Sequence, residues 1–196
     1  MSSLPRLDDT FPDNGVNEAE WATRVDLAAA YRLVAHYGMD DLIYNHISAR
    51  VPGSEDHFLL NPYGLAYEEI TASSLVKVDL DGNLVGEVQG EYGINRAGFV
   101  IHSAIHQARP EVACVIHTHT PAGMAVSALE CGLLPLTQTA MFFDDVGMHE
   151  YEGVVLDLKE QERIVHDLGA RRAMILRNHG LLTVGPTIGH AFTTMY

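Results

Sequence analysis

Positive charge is what this sequence has least of. Its 196 residues carry 12 Lys and Arg against 26 Asp and Glu, a formal net charge of −14. Nucleic-acid and anionic-membrane partners are held by clustered Lys and Arg, so neither class is expected. Cysteine is scarce as well. Cys114 and Cys131 sit in apolar surroundings and outside any C-x-x-C, which reads as buried, reduced thiols in a cytoplasmic protein. No apolar run reaches the roughly 18 residues that a membrane helix needs. The start lacks the basic-then-apolar pattern of a signal peptide. There is no internal repeat and no long polar tract. Disorder is therefore expected only in an N-terminal arm, residues 1–16, which holds Pro5, Pro12 and several Asp.

Against these absences stand 47% hydrophobic content and 11 histidines. The apolar content suits one globular domain over residues 17–196. Asn17 with Glu20 three residues on forms a capping-box pattern, and Trp21, Val25, Ala28, Ala29 and Leu33 follow at helical spacing up to Gly38, a plausible C-cap. Strand-like segments are expected at Ile47–Val51, Phe58–Leu60 and Val76–Asp79, with turns at Asn61–Gly64 and Asp81–Asn83. A helix over Asn95–Ala108 stops at Arg109-Pro110. Val112–His117 reads as a buried strand, with a helix starting at Pro121. Val154–Leu156 reads as extended, Leu158–Leu168 as helix, and Ala173–Arg177 and Leu181–Val184 as strands. This mixture predicts an α/β fold.

The chemistry lies in the histidines. His117-Thr118-His119 ends the most apolar strand. Residues i and i+2 of a strand share a face, so both imidazoles can reach one metal. Imidazole suits zinc, copper, iron and nickel. Asn178-His179-Gly180 is a polar corner between two apolar strands, where Gly180 permits a backbone shape that other residues resist. A third histidine brought to the first two would leave a coordination position open, as catalytic sites do.

These motifs together resemble the class II aldolase/adducin head-domain family. His117-Thr-His119-Thr-Pro121 is followed by Asn178-His179-Gly180, and preceded by Asn45-His46-Ile47-Ser48-Ala49-Arg50 and Pro62-Tyr63-Gly64-Leu65. The resemblance runs from about Asn17 to Tyr196. It implies a three-layer α/β/α sandwich around a mainly antiparallel sheet, and a homotetramer with sites at subunit interfaces. It also implies a divalent metal on His117, His119 and His179: zinc first, with manganese, iron, cobalt or nickel as alternatives. In the family's aldolases that metal polarises a carbonyl as a Lewis acid.

The departures shape the functional expectation. The aldolases carry Ser-Ser-Glu before the H-x-H strand, with the glutamate as acid/base. Arg96-Ala97-Gly98 stands there instead. Their phosphate site has an asparagine at the His46 position and a threonine at the Tyr63 position; only Gly64 is retained. A standard sugar-phosphate aldolase is disfavoured, and the pattern is closer to the adducin-like branch. The expectation is a metal-dependent lyase, of aldolase or decarboxylase type, for a small hydroxy- or keto-carboxylate. Its alternative is a non-catalytic assembly module with a structural or vestigial metal. Candidate acid/base residues are His46 and His102, the latter one turn from His106 on one helix face. Arg96 and Gly64 are candidates for substrate binding, Arg96 as a carboxylate clamp. Glu91 and Asp144-Asp145 are weaker candidates. The resemblance leads one to expect that the chain stops inside a helix beginning near Pro186, short of the C-terminal helices that related chains usually carry.

Overall fold

The computed structural model describes residues 15–86, 93–153 and 158–196. The expected arm, Glu91 and the Val154–Leu156 segment fall wholly or largely outside these residues. Among the described residues, five α-helices and seven strands follow in the order α1 (Glu18–His36), β1 (His46–Arg50), β2 (His57–Leu60), β3 (Val76–Asp79), α2 (Arg96–Ala108), β4 (Cys114–Thr118), α3 (Pro121–Ser127), β5 (Gly147–His149), α4 (Leu158–Leu168), β6 (Ala173–Leu176), β7 (Gly180–Gly185) and α5 (Ile188–Met195).

The strands form one sheet in the order β3-β2-β1-β4-β7-β6-β5. Every pairing is antiparallel except β5 with β6. β5 was not foreseen. Three residues are too few to show period-2 alternation.

Alternation along the strands sorts side chains to two faces. Ile47, Ala49, Leu59, Cys114 and Ile116 meet Leu27, Tyr31 and Val34 of α1 and Ala191 of α5. On the opposite face Val115, Leu182, Val184 and Met174 meet Ile101 and Ile105 of α2 and Ile164 and Leu168 of α4. The outcome is the expected three-layer sandwich. The Asn17 side chain accepts from the Glu20 N–H at 2.8 Å. The Glu20 carboxylate does not turn back to Asn17; it joins Arg24 and Lys77. Gly38 ends α1 with φ 64°. Of the two thiols, Cys114 is buried as expected but Cys131 is exposed. Its apolar neighbours Leu129, Leu133 and Leu134 are themselves exposed, so local hydrophobicity misled.

Candidate metal centre

β4 is buried along its whole length and delivers His117 to the face covered by α2 and α4. His119 follows just past the strand end. The turn between β6 and β7 brings His179 against them. Ring centroids lie 4.7 Å apart for His117–His119, 4.7 Å for His117–His179 and 4.8 Å for His119–His179. One ring nitrogen from each lies within 4.8 Å of the other two.

Two backbone features hold that turn, and neither is a left-handed Gly180. The left-handed residue is Asn178, φ 54°, a residue type that tolerates this region. Its N–H donates to the Ser127 carbonyl at 3.1 Å. Gly180 is required by space instead. A Cβ there would stand 2.4 Å from the Thr118 carbonyl oxygen and 3.1 Å from His119 Cδ2.

The hydrogen bonds behind the rings set their protonation. His117 Nδ1 donates to the Leu181 carbonyl at 2.9 Å. His119 Nδ1 donates to the Asp41 carboxylate at 2.9 Å. With both Nδ1 atoms so engaged, a neutral ring has no hydrogen at Nε2. Yet the two Nε2 atoms are 2.9 Å apart. Two lone pairs facing at that distance are relieved by a cation between them, a proton on one ring or a metal ion held by both. Imidazole nitrogens around a tetrahedral zinc, at bonds of about 2.0–2.1 Å, lie roughly 3.3 Å from one another. Burial, reinforced by the neighbouring imidazoles, holds His117 well below the ordinary imidazole range and lowers His179 to about 4. Neutral rings are what a metal needs. The donor set fits a divalent cation, and His117, His119 and His179 are the residues that would hold it.

His46 stands beside this triad. It lies directly opposite His117 in the β1–β4 register, and the two rings are 5.1 Å apart. Its Cδ2–Nε2 edge faces Gly98 so closely that a Cβ on Gly98 would meet Cδ2 at 2.3 Å and Nε2 at 2.4 Å. The absence of a side chain at position 98 and the presence of His46 are therefore one feature. His102 is not at the triad: it is buried behind His46, its Nε2 3.0 Å from His46 Nδ1. Arg96 is exposed in the first turn of α2, and Gly64 is exposed in the loop after β2 with φ 106°. That loop is tied to the approach to α2, where the Tyr63 N–H donates to the Gly93 carbonyl at 2.8 Å. Asp144 and Asp145 are exposed, with Asp145 paired to Arg171. Sequence reasoning missed Asp41, Ser48 and the Leu181 carbonyl, none of which carries a pattern of its own.

The family profile described as Class II Aldolase and Adducin N-terminal domain matches residues 25–196. The chain is similar to an aldolase II superfamily protein of known structure from Pseudomonas syringae, with 56% identity and a TM-score of 0.89 over 91% of this chain and 72% of that one. It is similar to L-fuculose 1-phosphate aldolase from Glaciozyma antarctica PI12, with 37% identity and a TM-score of 0.80 over 93% of this chain and 72% of that one. It is also similar to alpha-adducin of Mus musculus, with 48% identity over 90% of this chain but only 24% of adducin.

Proposed function

The chain belongs to the class II aldolase and adducin N-terminal domain family, and from that premise we propose that it is a divalent-metal-dependent lyase, of aldolase or decarboxylase type, for a small hydroxy- or keto-carboxylate. The observation that carries this reading is the placement of His46. A lyase needs a proton acceptor within hydrogen-bond reach of the reacting atoms. Position 98 has no carboxylate, and the His46 imidazole fills the space that a side chain at 98 would take, next to the first metal ligand. In this reading His46 Nε2 takes and returns the proton. The ring is 5% exposed, so bulk water has little access to it.

His117, His119 and His179 hold the metal, for which zinc is the first choice. When bound, it supplies a Lewis acid to a substrate carbonyl. The Leu181 carbonyl and the Asp41 carboxylate orient two of the ligand rings, which keeps their Nε2 atoms converged. Arg96 and Gly64 supply the anion contacts at the α2 end of the site. A carboxylate suits a guanidinium clamp, and the serines of the sugar-phosphate pattern are replaced by Arg96 and Ala97. The similarity to a fuculose phosphate aldolase at 37% identity supports lyase chemistry while leaving its substrate to that protein.

The test is a metal-reconstituted screen for retro-aldol cleavage and decarboxylation on hydroxy- and keto-acids. Turnover is expected to vanish in His119→Ala. In His46→Gln, kcat is expected to fall by about 10²–10⁴, the usual worth of a general base. A protein that binds one metal per chain yet turns over none of these acids sinks the lyase reading.

The similarity to alpha-adducin favours a second reading, a homotetrameric assembly module. Leu136 and Phe142 are 80% and 65% exposed, as a face covered by other copies would be. The same screen separates the two: metal-loaded tetramers without turnover favour assembly.

A further inference from the structure

We propose, on the reading of His117, His119 and His179 as metal ligands, that Leu42 is a positioning residue of that centre: its left-handed backbone fixes the turn that holds the Asp41 carboxylate behind His119.

Leucine rarely takes this conformation. In the left-handed region its Cβ crowds the following carbonyl oxygen, so glycine, and less often asparagine or aspartate, is the usual occupant. Among the described residues, two that are not glycine have a positive φ, Leu42 at 51° and Asn178 at 54°. Both adjoin the candidate metal centre. Asn178 immediately precedes the ligand His179. Leu42 immediately follows Asp41, whose carboxylate accepts from His119 Nδ1 at 2.9 Å. Strained residues gather at functional sites, where the surrounding structure holds them against their preference.

The Leu42 side chain does not account for its backbone. It is 71% exposed, so packing offsets little of the crowding. The path of the chain accounts for it instead. Helix α1 is closed at Gly38, and the Met39 N–H donates to the Val34 carbonyl at 2.9 Å. Strand β1 begins at His46, opposite His117. Between these fixed points the chain turns back on itself, with the Tyr44 N–H donating to the Asp41 carbonyl at 3.0 Å. Leu42 is the second residue of that four-residue turn, and a positive φ there belongs to the mirror-image turn types. A negative φ at 42 gives a turn of the other hand, and the backbone then carries the Asp41 side chain in a different direction.

That direction matters because the Asp41 side chain is 42% exposed. A carboxylate so open to water gains little from an ion pair that its own rotation must find. Its bond to His119 depends on where the backbone puts it. Glycine at 42 would reach the same φ without strain but would be as free to leave it; a leucine held in place by both flanks keeps Asp41 aimed before any metal arrives. Leu42 thus acts on the centre through Asp41 and His119.

The experiment is zinc affinity by competition with a chromophoric chelator, on variants shown to be folded by circular dichroism. Proline locks φ at about −65° and so forbids the left-handed turn. Leu42→Pro is expected to weaken zinc binding by about 10- to 100-fold, the usual worth of the partner behind a ligand histidine. Leu42→Gly, which occupies the left-handed region about half the time, is expected to stay within about threefold of wild type. Asp41→Ala/Leu42→Pro is expected to bind no more weakly than Asp41→Ala, because both changes remove one bond. A residue that only stabilised the fold would lower the unfolding midpoint of Leu42→Pro and leave zinc affinity alone. Wild-type affinity in Leu42→Pro overturns the role of Leu42, as do losses that multiply in the double variant. If Leu42→Pro does not fold, Leu42→Val decides. A β-branched residue is a poor occupant of positive φ, so Leu42→Val is expected to bind more weakly than Leu42→Gly, and equal affinities overturn the role. A wild type that binds no zinc sinks the metal reading and Leu42 with it; tight wild-type binding beside an unaffected Leu42→Pro removes Leu42 alone.

Discussion

The imidazole of His119 is aimed by a carboxylate 78 positions earlier in the chain, Asp41, at 2.9 Å. Metal-ligating histidines commonly depend on such a partner behind the ring, and its loss typically costs about 10- to 100-fold in affinity. Asp41→Ala is expected to weaken metal binding by that range, measured by competition with a chromophoric chelator. Affinity within twofold of wild type would remove Asp41 from the site. The three histidines that converge were legible, because H-x-H at a strand end and N-H-G in a turn leave marks in the sequence. Asp41 leaves none. An acceptor that reaches its partner through tertiary packing has no spacing to betray it, and the adjacent Asp40 is its equal in composition. The Leu181 carbonyl is less visible still, since any residue supplies a backbone oxygen.

At the scale of elements, helix α2 and strand β1 are held in contact around Gly98 and His46. A methyl on Gly98 would press into the His46 ring. Overpacking of this kind costs about 1–3 kcal/mol, so Gly98→Ala should destabilise by that amount in urea unfolding. His46→Ala empties the contested space. In the double variant the Gly98→Ala cost should largely disappear, a coupling of about 1–2 kcal/mol. Additive effects would show that the ring moves aside freely. The bounds of α2 are legible in the sequence: the pattern predicts a helix over 95–108 and the helix runs Arg96–Ala108, with the Asn95 side chain accepting from the Gly98 N–H at 3.3 Å. His102 and His106 were seen to share a face. Which strand residue would stand between them was not visible, because the helical period gives a direction but no partner. β5 escaped for a different reason. A three-residue strand in parallel pairing with β6 is defined by its neighbour more than by its own pattern.

At the scale of the molecule, the sheet separates two kinds of interior. One face is apolar, packed by α1 and α5; the other carries a line of buried imidazoles under α2. Those imidazoles make stability depend on pH. Burial, with Arg50 adding repulsion, lowers His106 to about 3, whereas an unfolded histidine titrates near 6.5. Between those values the unfolded chain binds a proton that the native chain does not. Stability is then full above about pH 6.5 and falls as pH drops toward 3, by about 1.4 kcal/mol per pH unit for each such group. His102, lowered well below its ordinary value by burial, adds to the slope. Urea unfolding of chelator-treated protein at pH 7, 6 and 5 should show a progressive loss. His106→Phe should flatten it by one proton. A flat profile from pH 7 to 5 in the parent protein would contradict the buried neutral state. The layered fold was legible from the alternation of helix and strand patterns; the segregation of imidazoles to one face emerges only when the strands are paired.

The close approach of His46 to Gly98 also limits how such a site can change over generations. A histidine at 46 and a side chain at 98 compete for one space, since a Cβ at 98 would stand 2.3 Å from the ring. A chain holding both bears the overpacking cost of about 1–3 kcal/mol, so exchange between the two is easier through a chain holding neither.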